Sequence, residues 1–368
     1  MKNILLFILA GILFTFAQAQ PVSAEKISDE TVAEAVRRGV DFLRVHQEEN
    51  GSFDQVMGTG ITSLAVSGML ANGYSPDDPT VAAALKYLET MVQPDGSIHN
   101  TTVGVSNYET SLAVLAFHAA NADGRYDTLI KNAEKYIRAN QWDEAKGKTP
   151  ADEQYGSAGY GTAQLTRGDM SNTGFLVEAL HTLGAGADDE AIKKALIFAS
   201  RCQRLETAHN TLPFAAENPD GGFIYTNKDY EQLDENGEVV PLRSYGSMTY
   251  MGLKTMLYAG LSPQSTRVKA ALEWLGKNYS VKENPGMEYT GLFYYYVIMS
   301  RALKALGEDT FTDDAGIEHD WRQELIAELI DIQQEDGSWL NTKRPRWMEN
   351  NPKLVTAYAL IALGNCRK

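Results

Sequence analysis

Three carboxylates stand close to threonines that begin apolar runs: Glu109 directly before Thr110, Asp169 four residues before Thr173, and Glu288 two before Thr290. Carboxylates so placed are candidates for acid–base work or for steadying a cation. If each threonine marks a helix start, free N–H groups and the positive end of the helix dipole favour the anion. The spacing therefore predicts lowered pKa values, which suit cation stabilisation better than proton donation. Simple capping of the helix is the alternative role for each acid. A second group is aromatic: Tyr289, Phe293, Tyr294, Tyr295 and Tyr296 crowd one run, so at least one should face any cavity. Such rings can steady carbocations, stack on sugars, or fill a core. We take Asp169, Glu109 and Glu288 as catalytic candidates, and Tyr289, Phe293, Tyr295, Tyr245 and Tyr250 as ligand-binding candidates. With 18 Tyr against 12 Phe and 5 Trp, the aromatic faces favour a moderately polar cavity. The histidines (His46, His99, His118, His181, His209 and His319) are scattered. No set converges as zinc requires, and no nucleotide, serine-hydrolase or metalloprotease motif is present, so neither a metal nor a cofactor is expected.

The elements that must position these groups repeat. Apolar runs begin at Thr62, Thr110, Thr173, Thr249, Thr290 and Thr356. Each is preceded by a more polar segment of helical period, starting near Ser28, Pro79, Asp127, Asp188, Ser265 and His319. The polar segments have one wet face and the apolar runs have none, which predicts an outer and an inner layer of helices. The inner helices should end near Asn72, Asn121, Gly184, Gly260, Gly307 and Gly364, residues that tolerate a left-handed cap. Neither end of the array carries a polar capping unit, so a closed ring fits better than an open solenoid. The long connections, about 143–169, 205–246 and 340–353, all lie on the rim where inner helices start. Insertions gathered on one rim mark a binding face. They carry Tyr155, Tyr160, Phe214, Phe223, Tyr225, Tyr230 and Tyr245, which suggests that they pack.

A further repeat ends the polar segments: Gln47-EENGSF, Gln93-PDGSI, Asn218-PDGGF, Asn284-PGM and Gln333-QEDGSW, with only Gln141-Trp142 in the third unit. This resembles the QxxxGxW repeat of squalene and oxidosqualene cyclases and of protein prenyltransferase β subunits, over nearly the whole chain. The resemblance implies an all-α (α/α)6 toroid of six helix-pair repeats, with inner and outer rings. It carries the chemistry less far. Where class II terpene cyclases have a DxDDT-type acid motif, this chain reads Asp169-Met170-Ser171-Asn172-Thr173, matching only the first Asp and the Thr. The zinc ligands of prenyltransferases and the thioester motif of complement-type toroids are missing from the corresponding places.

Lys2, the apolar stretch from Ile4 to Ala17 and the small-x-small site Ala17-Gln18-Ala19 read as a secretory signal over 1–19, with a second candidate cut after Ala24. The stretch is short for a membrane span, which needs roughly 20 residues. We expect residues 20–368 to form one secreted or periplasmic domain with no membrane span after cleavage. A net charge of -15 argues against nucleic acid as partner. Cys202 ends a polar segment and Cys366 an apolar one; antiparallel packing puts these two ends on opposite rims, so both are expected to be free thiols. Three functions follow: binding of an unknown small molecule, glycan or protein at the long-loop rim; a terpenoid cyclase-like reaction with a non-standard acid; or a carbohydrate-active hydrolase or lyase.

Overall fold

The structure is a computed structural model and describes residues 26–161, 167–217, 219–227, 232–233, 239–240 and 243–367. The expected signal segment and Tyr230 lie outside the described residues. Thirteen α-helices are present among them: α1 (Asp29–Val45), α2 (Gly60–Ala71), α3 (Pro79–Thr90), α4 (Ser106–Ala119), α5 (Asp127–Ala139), α6 (Met170–Thr182), α7 (Glu190–Cys202), the short α8 (Pro213–Glu217), α9 (Gly246–Tyr258), α10 (Thr266–Lys277), α11 (Leu292–Leu306), α12 (Trp321–Asp331) and α13 (Pro352–Cys366). Two pairs of two-residue strands close loops, Gln232–Leu233 with Val239–Val240 and Phe311–Thr312 with Glu318–His319.

Helices α2, α4, α6, α9, α11 and α13 are buried on nearly every side and pack each against the next, and α13 returns to α2. The more polar α1, α3, α5, α7, α10 and α12 lie outside them and bury single stripes, such as Ile130, Ala133 and Ile137 of α5. Ser or Asp caps start α1, α3, α7, α10 and α12 by accepting from first-turn N–H groups. The expected layers and outer starts are thus realised. Three inner ends differ: Asn72 has φ -97 with the left-handed turn at Gly73, Asn121 is not left-handed, and α13 runs through Gly364 to Cys366. A Cβ on Gly364 would lie 2.6 Å from the Cβ of Ala71, so this glycine serves close helix approach and not a cap.

The repeated motifs resolve into two hydrogen-bonded devices. Thr62, Thr110, Thr173, Thr249 and Thr356 sit inside the first turns, and each hydroxyl accepts the N–H of Phe53, Ile98, Ala158, Phe223 or Trp339 at 3.0–3.1 Å. The glutamine amide makes the second. Gln333 donates to Gly337 O and to Ala35 O of α1, both at 2.9 Å, joining the last unit to the first. Gln47 reaches Gly51 O and Thr80 O of α3 in the same way. The third unit is complete after all: Gln141 donates to Gly156 O and Ala191 O, so its glycine is displaced along the chain and not lost. In the fourth, Gln203 takes this place, bonded to Gly221 O and Arg267 O, whereas Asn218 lies outside the described residues. The glycine cannot be replaced. Gly337 has φ +88, and a Cβ there would lie 2.5 Å from Arg38 O.

Gln203 is fully buried, so Gln203→Ala strands two carbonyls. We expect a stability loss of about 2–4 kcal/mol, the cost of leaving such groups unpaired. Urea unfolding reads it, and a loss below about 0.5 kcal/mol would mean that the staple is dispensable.

Candidate functional site

Inner-helix N-termini meet one another on one rim, and C-termini on the other. Glu109 at the start of α4 accepts from Thr59 N before α2 at 2.6 Å and from Asn100 N at 2.9 Å. Asp169 caps its own helix α6, accepting from Asn172 N and Asn172 Nδ2, both at 2.8 Å, with the Tyr225 hydroxyl also on it. A third acid was not among the sequence candidates. Glu349 accepts from Phe293 N and Tyr294 N of α11 at 2.9 Å and from Asn341 Nδ2 at 2.7 Å. It lies three residues before α13 but seven before Thr356, too far for the threonine spacing that picks out Glu109.

These three acids correct the expected charge behaviour. Burial pushes Glu109 up to about 7, against the lowering effect of the Asn100, Thr59 and Gly60 N–H groups. Burial likewise pushes Asp169 to about 6 and Glu349 to about 7. Desolvation outweighs the helix dipole because the dipole acts through partial charges whereas the carboxylate loses most of its water. Glu288 is different. Its exposed side chain pairs with Arg344 at 3.2 Å, and its backbone adopts φ +52 in a turn.

The aromatic candidates also divide. Phe293, Tyr295, Tyr250 and Tyr245 are buried in the core. Tyr295 donates to Ser280 O at 2.7 Å, and its ring lies 5.8 Å from that of Tyr250. Tyr289 is half-buried beneath Lys343, whose Nζ is 3.9 Å from the ring centroid. The residue of this run that joins the interior aromatic set is Tyr294. Its hydroxyl lies 2.8 Å from Ser171 Oγ, and its ring meets Phe175 at 6.4 Å and Tyr358 at 6.2 Å. Tyr108 continues the set, 5.4 Å from Phe175 and 6.2 Å from Tyr160, and the Tyr160 and Tyr225 hydroxyls pair at 3.2 Å. Tyr108, Tyr160, Tyr225 and Tyr294 keep partial water contact although protein closes round them, as at the floor of a recess. Burial raises the Tyr108 and Tyr294 hydroxyls well above the ordinary range, so they stay neutral donors. Chemically, this rim offers ring faces and neutral hydroxyls, with acids whose oxygens already accept hydrogen bonds.

Among the described residues, no three His, Cys, Asp or Glu side chains converge to hold a metal ion, and no helix is long and apolar enough to cross a membrane. Cys202 and Cys366 are both buried and unpaired.

The architecture is that of the α/α toroids. The type II terpene cyclase MstE from Scytonema superposes with TM-score 0.56 at 11% identity, over 91% of this chain and 97% of that one. A variant of it in complex with the substrate geranylgeranyl dihydroxybenzoate gives 0.57 at 12%, over 92% and 97%. A glycosidase variant in complex with glucose gives 0.53 at 11%, over 92% and 99%. No model of a known protein family matches the chain, and no curated protein sequence matches it.

The raised acids make stability depend on pH. For Glu109 and Glu349 the folded value lies above the ordinary 4.5, so the folded state holds more protons and stability falls as pH rises from about 4.5 to about 7. The double variant Glu109→Gln/Glu349→Gln should flatten this fall in thermal midpoints measured across that window. An unchanged slope would show that both acids are ionised throughout.

Proposed function

We propose that the protein is an exported toroid of six helix pairs that binds a small amphipathic molecule in the tyrosine-lined recess at the inner-helix N-terminal rim, without turning it over. One observation carries this reading. Glu109, Asp169 and Glu349, the buried acids of the rim, already spend their oxygens on hydrogen bonds from protein. Asn172, moreover, cannot deliver a proton to an alkene. The rings and neutral hydroxyls beside them remain for recognition. They would suit a ligand with apolar and hydroxyl-bearing surface, and the two structural relatives named above take a prenylated dihydroxybenzoate and glucose.

A cyclase-like reaction is the second reading, favoured by the rise of Asp169 to about 6, which keeps a fraction of this acid protonated near neutrality. A carbohydrate-active role has the fold likeness in its favour, but among the described residues the rim acids Glu109, Asp169 and Glu349 already accept hydrogen bonds from protein.

The test is a thermal-shift panel of geranylgeranyl dihydroxybenzoate, other prenylated phenols and oligosaccharides, with mass spectrometry of each incubation. We expect one class to raise the midpoint by about 2–4 °C at a hundredfold excess over Kd, and Tyr108→Ala/Tyr294→Ala to abolish the shift. No product should form. Product that disappears with Asp169→Asn would replace the binding reading with the enzymatic one. A shift that survives the tyrosine substitutions would place the ligand elsewhere.

A further inference from the structure

The opposite end of the ring holds a cavity of about 340 Å³, within the usual range for small-ligand sites. Every inner helix contributes to its wall: Ser67 from α2, Leu115 from α4, Glu178 from α6, Tyr258 from α9, Arg301 from α11 and Asn365 from α13. It lies at the C-terminal halves of these helices, away from the acids of the N-terminal rim.

Its charge is unusual for this acidic chain. Glu178 is shared by two cations, with Lys254 Nζ at 2.5 Å and Arg301 Nη1 at 3.0 Å. Lys254 is fully buried and lies over the Phe175 ring at 5.5 Å. A third cation, Lys304, also lines the wall. Three positive groups around one carboxylate leave a formal surplus of two, of which Lys304, exposed and in the last turn of α11, is offset by that helix's C-terminus. Helix C-termini offset cations only within their last turn. Lys254 and Arg301 sit four and five residues before their helix ends, too deep for the termini to be their partners. The cavity is otherwise half apolar, through Leu115 and the Tyr258 ring, which stacks at 4.0 Å on His181.

We propose that this cavity binds a small organic carboxylate with an apolar body. Its head would lie against Arg301 and Lys304, with Ser67 and Asn365 as further hydrogen-bonding groups, and its apolar part would rest on Leu115 and Tyr258. Glu178 and Lys254 act behind this contact. The carboxylate of Glu178 fixes the guanidinium, and Lys254 keeps Glu178 from neutralising it fully. Such a site is separate from the tyrosine recess and does not depend on the function proposed for it.

Calorimetric titration of the mature protein with octanoate, octanol and inorganic phosphate tests the proposal. Octanoate should bind at least tenfold more tightly than octanol and weaken as salt rises, because charge pairing is screened. Arg301→Gln should weaken it at least tenfold, and the exposed Lys304→Gln, which leaves the buried triad intact, severalfold. Tyr225→Phe, in the other recess and out of contact with Phe175, should leave octanoate binding unchanged. Equal affinity for octanoate and octanol would overturn the proposal. So would binding of phosphate in preference to octanoate, or octanoate binding that is lost with Tyr225→Phe but not with Lys304→Gln.

Discussion

The ring depends on one repeated constraint: each inner helix begins against the loop of the following unit. Thr59 N before α2 is held by Glu109, Asn107 N of α4 by Tyr160 O, Met170 N of α6 by Tyr225 O, Ser247 N of α9 by Asn284, and Phe293 N of α11 by Glu349. At α13 the cap is its own Asn351, whose amide reaches Asp54 of the first unit. Buried N–H groups cannot be left without partners, so no unit is complete without its neighbour. The glutamine staples enforce the same dependence among the outer helices. A repeat whose polar groups are satisfied only by the next repeat closes most economically as a ring.

This arrangement explains why acids gather on one rim. Helices α2 and α11 have no side-chain cap of their own; the N-cap of α11 is the left-handed Gly291. The fifth unit also departs from the threonine pattern, because Thr290 precedes its helix and makes no such clasp. Glu109 and Glu349 supply from outside what these two helices lack. Capping thus accounts for the positions of both acids, and burial accounts for their raised pKa values.

Much of this was legible in the sequence, because the apolar period and the Gln-Gly-Thr spacing report directly on backbone pairing. The inner and outer layers, the outer-helix starts at Pro79 and Asp127, and the rim carrying the long loops all follow from it. The pKa directions did not follow, because they rest on how much water each carboxyl loses, a property of tertiary packing that local spacing cannot express. The aromatic run could not be sorted for a related reason: helical period places Tyr294 and Tyr295 about 100° apart but does not say which of the two directions is the ring axis.

The second end of the ring left a plainer trace. Glu178 and Lys254 are the sole charged residues of α6 and α9 apart from terminal histidine, and Arg301 interrupts the apolar part of α11. A charge inside a helix buried all round must be paired, and three such charges on consecutive inner helices can only meet across the ring interior. Lys254 and Glu178 stand nine residues into helices of equal length, so parallel packing brings them level. Arg301, ten residues into α11, reaches the same depth. The parallel course of the inner helices, set by the shared capping at their N-termini, is therefore also what assembles the cationic cavity at their other ends.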